Sequence, residues 1–274
     1  MALFMHQLLD LDRYPLHDLK SGAGQALVES CRQALAADGM FNLEGLVKPS
    51  ALAECLVELA PLWAEGAFTH RRTHNIYFDD DVPELPAAHP ALKRFETVNQ
   101  TICADQIPGN ALCRIYEWPK LAAFLAAVTG TGRLYPMSDP LARVNIMAYR
   151  AGEALNWHFD RAEFTTTLLL QAPNAGGAFQ YRRDLRTASD ANYDGVAGFL
   201  ADPEAEARTC LLTPGTLNLF KGKYSAHRVT PVAGARPRII AIFSYYQQPG
   251  IRFGADERRE FYGRSETMAP DGSG

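Results

Sequence analysis

The chain has 274 residues, with 27 Lys and Arg against 31 Asp and Glu for a net charge of −4, and 47% of its residues are hydrophobic. These are ordinary globular values and exclude a mainly disordered chain. A mildly acidic protein without a long basic run carries no electrostatic footprint for nucleic acid, so none is expected as a partner.

Five cysteines (Cys31, Cys55, Cys103, Cys113, Cys210) are scattered and never spaced CxxC. That pattern fits free thiols in a reducing cytoplasm rather than a disulfide framework. The start, MALFMHQLLDLDRYPL, has neither a cationic leader nor a continuous apolar stretch, so no secretory signal is expected. No window approaches 18 consecutive apolar residues, so no transmembrane helix and no membrane partner are expected.

The first half reads as helices. Leu27, Cys31 and Leu35 recur about one turn apart, which predicts an amphipathic helix over 22–37 that stops at Asp38-Gly39. A short strand, MFNLEGLV, follows, and Pro49-Ser50 then introduces a helix over 51–64. The acidic, Pro-rich segment 79–90 is a surface loop. Further helices are predicted around 91–104 and 110–129, the latter closed by Gly130 and Gly132. From about residue 133 the texture changes to short β-rich runs: ARVNIMAYR, FTTTLLLQ, AFQYRR, TCLLTP, TLNLF and RIIAIFSYY. Gly and Pro turns separate them, which predicts an antiparallel barrel or sandwich. Residues 184–207 look like an insertion between strands, and a charged helix is predicted from about Ala255. With no repeat and no linker, the expectation is one domain over 1–264. It would have a helical support to about 132, a β core over 133–250 and a disordered tail at 265–274.

The stretch NWHFDRAEF carries the chemistry. His158 and Asp160 lie two apart, so an extended strand points both to one face. His227, in AHRVTP, is a third candidate ligand. Two imidazoles and one carboxylate on one face of a metal leave the other face open, the arrangement suited to non-haem Fe(II) oxygenases. Asn145 and Tyr149 share a face of the preceding strand, and Arg238 opens the strand that follows His227. The planar fork of an arginine there can hold both oxygens of a carboxylate. Arg236 has the same strand parity and is the rival anchor, although Arg238 directly precedes the apolar run. Trp157 has the opposite parity from His158 and is expected in the core.

In order along 145–238, the chain reads N-x-x-x-Y, W-H-x-D, G-G-x-F, P-G-T-x-x-x-F, H-R-V-x-P and then Arg. This resembles the Fe(II)/2-oxoglutarate-dependent oxygenases, whose core is a double-stranded β-helix, or jelly-roll. The resemblance implies an α+β fold with a jelly-roll core and a helical N-terminal support. It also implies that Fe(II) sits on His158, Asp160 and His227. The co-substrates would be 2-oxoglutarate, held by Arg238 or Arg236 with Tyr149 and Asn145, and O2. The segments THNIYF, WHFDRAEFTTTLLLQ and AIFSYY look like the branch of free amino-acid hydroxylases, amino-acid halogenases and aziridine-forming oxygenases. Halogenases of that branch carry Gly where this chain keeps Asp160, so the resemblance implies an oxygenase that does not halogenate. Arg72, His74 and Asn75, in RRTHNIYF, are candidates to receive a substrate carboxylate.

The expected reaction is hydroxylation of a free amino acid or derivative, with release of succinate and CO2. Desaturation or aziridine formation with the same cofactors is the alternative. A cupin-type enzyme with more metal-binding histidines, or a jelly-roll binding protein without chemistry, are the rivals from other classes. The N-terminal helices, the loop at 66–90 and the insertion at 184–207 are all placed to cover the barrel mouth, which favours a small molecule as partner. The oligomeric state is open.

Overall fold

The computed structural model describes residues 2–268. Helices α1 (Ala2–Leu8) and α2 (Gly22–Asp38) lead into strand β1 (Met40–Leu43). Helices α3 (Pro49–Leu59) and α4 (Leu62–Glu65) precede strands β2 (Phe68–His74) and β3 (Phe95–Cys103), and α5 (Ala111–Glu117) and α6 (Pro119–Thr129) complete the first half. The second half begins with β4 (Tyr135–Pro136), β5 (Val144–Tyr149), β6 (Leu155–His158), β7 (Thr165–Gln171), β8 (Ala175–Gly176) and β9 (Phe179–Arg182). Helices α7 (Tyr193–Ala201) and α8 (Pro203–Glu206) form the expected insertion. It is followed by β10 (Arg208–Cys210), β11 (Leu217–Phe220), β12 (Ala226–Val229) and β13 (Val232–Ala233). The last elements are β14 (Arg238–Phe243), β15 (Tyr245–Tyr246) and helix α9 (Ala255–Tyr262).

Two antiparallel sheets face each other as a jelly-roll. The larger runs β1-β11-β7-β14-β5-β3-β2, the smaller β10-β9-β12-β6, and β13-β8 and β15-β4 are two-stranded ribbons. Strand alternation sorts the larger sheet into two faces. Val144, Ile146 and Ala148 of β5, with Ile239, Ala241 and Phe243 of β14, enter a core shared with Leu35 of α2, Leu59 of α3 and Phe124 of α6. The other parity points between the sheets. Arg238 pairs across from Tyr149, Ile240 from Met147 and Ile242 from Asn145.

Several expectations change. Residues 95–103, read as part of a helix, form β3 and pair with β2 and β5. Their inward residues are Thr97, Asn99 and Thr101, so a period-two pattern is present but polar on the face that meets a cavity. A hydrophobic-periodicity rule misses such a strand. Residues 68–74, expected in a loop, form the edge strand β2, so the helical half supplies three strands to the larger sheet. The helix over 110–129 breaks at Trp118-Pro119, and that over 51–64 breaks before Pro61, because proline has no N–H to continue the ladder. The first amphipathic helix stands as expected, with Ser21 accepting from Gly24 N–H at 3.1 Å and Gly39 closing it in the left-handed region.

The insertion covers the back of the smaller sheet rather than the barrel mouth. Trp157 is buried there against Phe199 of α7 at 4.8 Å, and the Arg228 guanidinium lies 4.7 Å from the Trp157 ring centre. At 265–268, expected to be disordered, the chain is held to the body, since Met268 N–H donates to Asp105 at 2.9 Å; 269–274 lie outside the described residues. All five cysteines are free and all but Cys210 are buried, with burial pushing the Cys31, Cys55 and Cys103 thiols up to about 12.

Asp139 fastens α9 to the barrel. Its fully buried carboxylate accepts the N–H groups of Leu141 and Ala142 on one oxygen, and Phe253 N–H and Arg258 Nε on the other, all within 3.0 Å. Burial alone would raise its pKa, but these donors outweigh it and hold the carboxyl below its ordinary 3.8. A group depressed in the folded state contributes its full stability above the unfolded value and loses it as pH falls through the folded one. Asp139→Asn is therefore expected to cost about 3 kcal/mol at neutral pH. Thermal unfolding against pH should show that gap constant in neutral buffer and shrinking below 3.8.

Candidate active site

Strands β6 and β12 are neighbours in the smaller sheet, and their register sets His227 directly opposite His158. The ring centres are 4.0 Å apart. Each Nδ1 faces a backbone carbonyl two residues earlier, Asn156 O at 2.7 Å and Ser225 O at 2.9 Å. With Nδ1–H donating there, each Nε2 lone pair is left facing the centre. The chain leaves β6 after His158, and Asp160 N–H donates to Gly222 O at 3.0 Å, which swings the carboxylate back over the imidazoles. Asp160 Oδ1 lies 3.5 Å from both Nε2 atoms. Oδ2 accepts the Thr165 hydroxyl at 2.5 Å.

Burial alone would raise the Asp160 pKa, but the two imidazoles beside it, His227 foremost, outweigh it and hold the carboxyl well below its ordinary range. Burial, reinforced by His227, lowers the His158 pKa. An ionised carboxylate and neutral imidazoles are the protonation states a divalent metal requires. The three ligand atoms all lie within 4.8 Å of one another.

Beyond the triad lies a small space of about 80 Å³ whose lining includes Tyr149, Thr167, Asn218 and Arg238. Arg238 is 3% exposed and its Nη1 atom has no hydrogen-bond partner. Burial lowers its pKa to about 10 and pushes the Tyr149 hydroxyl up to about 12, so at neutral pH the arginine is cationic and the tyrosine is protonated. A buried cation without a counter-ion is costly, and an anionic ligand placed between it and the triad removes that cost. The donor set fits iron with a dicarboxylate. Arg236 is exposed at the surface, outside this space.

On the other side of the triad a second space of about 220 Å³ is lined by β2, β3, the following loop and α9. Arg72 lines it, with its guanidinium 4.9 Å from the Phe78 ring centre. His74 also lines it, but both ring nitrogens are engaged at 2.8 Å, by Asn75 O and the Thr97 hydroxyl, and burial lowers its pKa to about 4. Asn75 is spent on the loop itself, accepting the N–H groups of Tyr77 and Asp79 and donating to Asp79 O. Asn145 is likewise consumed: its amide donates to Leu141 O and its oxygen accepts the Tyr262 hydroxyl at 2.9 Å. The residues brought together are thus His158, Asp160, His227, Tyr149 and Arg238 around one space and Arg72 in the next.

The sequence matches the family described as Halogenase D over residues 23–254. The chain belongs to the halogenase D family. Its structure is similar to that of the non-heme alpha ketoglutarate dependent epimerase SnoN from nogalamycin biosynthesis, with a TM-score of 0.54 at 15% identity, covering 81% of this chain and 83% of that one. SnoN in complex with Fe3+, alpha ketoglutarate and nogalamycin RO aligns at 0.52 and 15% identity, over 81% and 84%. AviO1 from Streptomyces viridochromogenes Tue57 aligns at 0.52 and 15% identity, over 81% and 95%. A comparison with curated proteins finds no match. Family and fold together make this an Fe(II)/2-oxoglutarate-dependent oxygenase.

Several site residues of this halogenase D family member escape a sequence reading. Phe78 sits in the left-handed region at φ 55 and packs its ring 5.4 Å from His158. Asn99 and Thr101 lie on β3, where the sequence pattern predicts helix, and Phe261 and Tyr262 are brought in by α9. Gly222 is the most telling. A Cβ there would meet Asp160 Oδ2 at 1.9 Å, so only glycine lets the carboxylate rest on that backbone. Gly222→Ala is expected to displace Asp160 and weaken divalent-cation binding by roughly 10- to 100-fold, as loss of a ligand's supporting contact does. Anaerobic calorimetric titration with Fe(II) measures it, and unaltered affinity would contradict the geometry.

Proposed function

We propose that the protein is an Fe(II)- and 2-oxoglutarate-dependent hydroxylase of a free amino acid or close derivative, acting in the cytoplasm. The observation that carries this reading is the retained Asp160. It lies beside two imidazoles whose Nδ1 atoms are already engaged, and across a small shared space from the partnerless Nη1 of Arg238. Family halogenases, as the sequence resemblance implies, give up that carboxylate for a halide; this chain has not.

His158, Asp160 and His227 would hold the iron, and Arg238 with the Tyr149 hydroxyl would hold the far carboxylate of 2-oxoglutarate. Iron and 2-oxoglutarate, when bound, supply the oxidising power that O2 brings to a C–H bond, with succinate and CO2 as by-products. The chain's own work is positional. Asn156 O and Ser225 O fix the imidazole tautomers, and Thr165 keeps one Asp160 oxygen occupied so that the other faces the histidines. Arg72 would take the substrate carboxylate, which sets the substrate's body against the triad. Phe78, Leu155 and Ile242 exclude water from that side, which protects a reactive centre from side reactions.

Purified protein with Fe(II), 2-oxoglutarate and a panel of amino acids should release one succinate per oxidised product with at least one of them. Asp160→Ala should abolish that turnover and weaken Fe(II) binding, since only neutral imidazoles remain; full turnover in this variant would overturn the reading. Arg238→Met should leave the cofactor-free fold at least as stable, because it removes a buried charge without a counter-ion. The same change should weaken 2-oxoglutarate by about 1.5–3 kcal/mol, roughly 10- to 150-fold, as a lost charged hydrogen bond does. Calorimetry and thermal unfolding on the same preparation read both.

A further inference from the structure

Helix α9 closes the 220 Å³ space through two ion pairs, and each uses an arginine of the lining. Arg161 Nη1 bonds Glu257 at 3.0 Å at the solvent-facing rim, where both side chains are well exposed. Arg72 Nη1 bonds Glu260 at 2.7 Å, with side-chain exposures of 20% and 44%, so the arginine reaches into the space while Glu260 stands at its mouth. Among the described residues neither Arg72 nor Glu260 makes another hydrogen bond. A guanidinium has five N–H donors and a carboxylate two acceptor oxygens, so most of the capacity of both groups is open.

Resting on the reading of this site as an amino-acid oxygenase, we propose that Arg72 and Glu260 act together as a clamp for the zwitterionic head of an α-amino acid with an uncharged side chain. Arg72 takes the carboxylate and Glu260 takes the ammonium, and the existing ion pair holds the two receptors side by side. A plain carboxylic acid meets the same arginine but brings its charge next to Glu260 with nothing to offset it. Glu260 is thus a specificity-determining residue that separates amino acids from their des-amino counterparts. The side chain then runs inward along Phe78, Met147, Leu155 and Ile242. Asp160 is the one carboxylate of that lining, and it belongs to the triad. A cationic side chain finds no free acid there, and an anionic one meets Asp160 while the lining's other arginine, Arg161, is already paired with Glu257. Both carry an uncompensated desolvation cost.

The test is anaerobic calorimetry on the protein loaded with Fe(II) and 2-oxoglutarate. It is titrated with valine, leucine, isoleucine, norvaline, lysine and glutamate, and with the des-amino acid matching the tightest neutral ligand. A neutral amino acid is expected to bind at least about tenfold more tightly than lysine, glutamate or its own des-amino analogue, the size of one lost charged contact. In Glu260→Gln the gap between amino acid and des-amino acid should collapse to about threefold or less. In Glu257→Gln, which loosens the other tether of α9 and keeps a residue competent for its cap, the gap should persist.

Tightest binding by lysine or glutamate, no binding by any of the amino acids, or an undiminished gap in Glu260→Gln would overturn the clamp. Collapse in both variants would also overturn it, by showing that Glu260 merely holds the helix. The visible absorption band of the Fe(II)–2-oxoglutarate complex reports separately on the parent reading. With the band present and the wrong binding pattern, the clamp alone falls. With the pattern present and no band, the clamp stands and the oxygenase reading falls.

Discussion

The alternation of side chains along β5 and β14 is the constraint on which this molecule depends. One parity is driven into the helices by burial of apolar surface, which is worth about 25 cal/mol per Å². Because Ile146, Ala148, Ile239 and Ala241 are committed to that core, Met147, Tyr149, Arg238 and Ile240 have nowhere to point but between the sheets. A one-residue slip would exchange the two sets and bury Arg238 among helices. The helical layer is therefore what makes an interior arginine tolerable and keeps it aimed at the metal centre.

Electrostatics inside the barrel are arranged as separate problems. Around the triad, negative charge is concentrated on Asp160 and satisfied by imidazoles and by Thr165. Around Arg238, positive charge is left unmatched. The two do not neutralise each other, since Arg238 forms no ion pair among the described residues. An ion pair between them would have stabilised the folded chain and left neither group able to bind anything. Stability is recovered at a distance, in places such as the Asp139 hub that anchors α9 and the bidentate Arg264–Asp105 pair.

Much of the metal centre is legible in the sequence because its residues are tied to short, ordered motifs. His158 and Asp160 are two apart, His227 stands in HRV, and the strand after it begins with Arg238. Choosing Arg238 over Arg236 follows from its place at the start of an apolar run, and the structure puts Arg236 on the surface. The second space is far less legible. Its polar strand β3 inverts the usual pattern, since Thr97, Asn99 and Thr101 face inward without facing a dry core. Its other wall comes from α9, more than 150 positions along the chain from β3, and no local rule relates them. Asn75 and Asn145 attract notice as polar residues near motifs, yet both spend their amides on holding loops and helix in place. Residue type alone does not distinguish an amide that binds substrate from one that binds the protein.

The two interior spaces share little wall beyond Leu155, His158, Asp160 and Ile242. Everything that would grip the co-substrate comes from the jelly-roll itself, whereas β2, β3 and α9 are additions at its edge and mouth. This separation has an evolutionary consequence. Mutations in the added wall can accumulate and change what is admitted while the oxidising machinery stays intact, so descendants can diverge in substrate without passing through an inactive ancestor. The reverse change, such as loss of the metal-binding carboxylate, alters the chemistry while leaving the added wall in place. Selection therefore acts on two nearly independent parts of one chain, coupled through the few residues that both spaces touch.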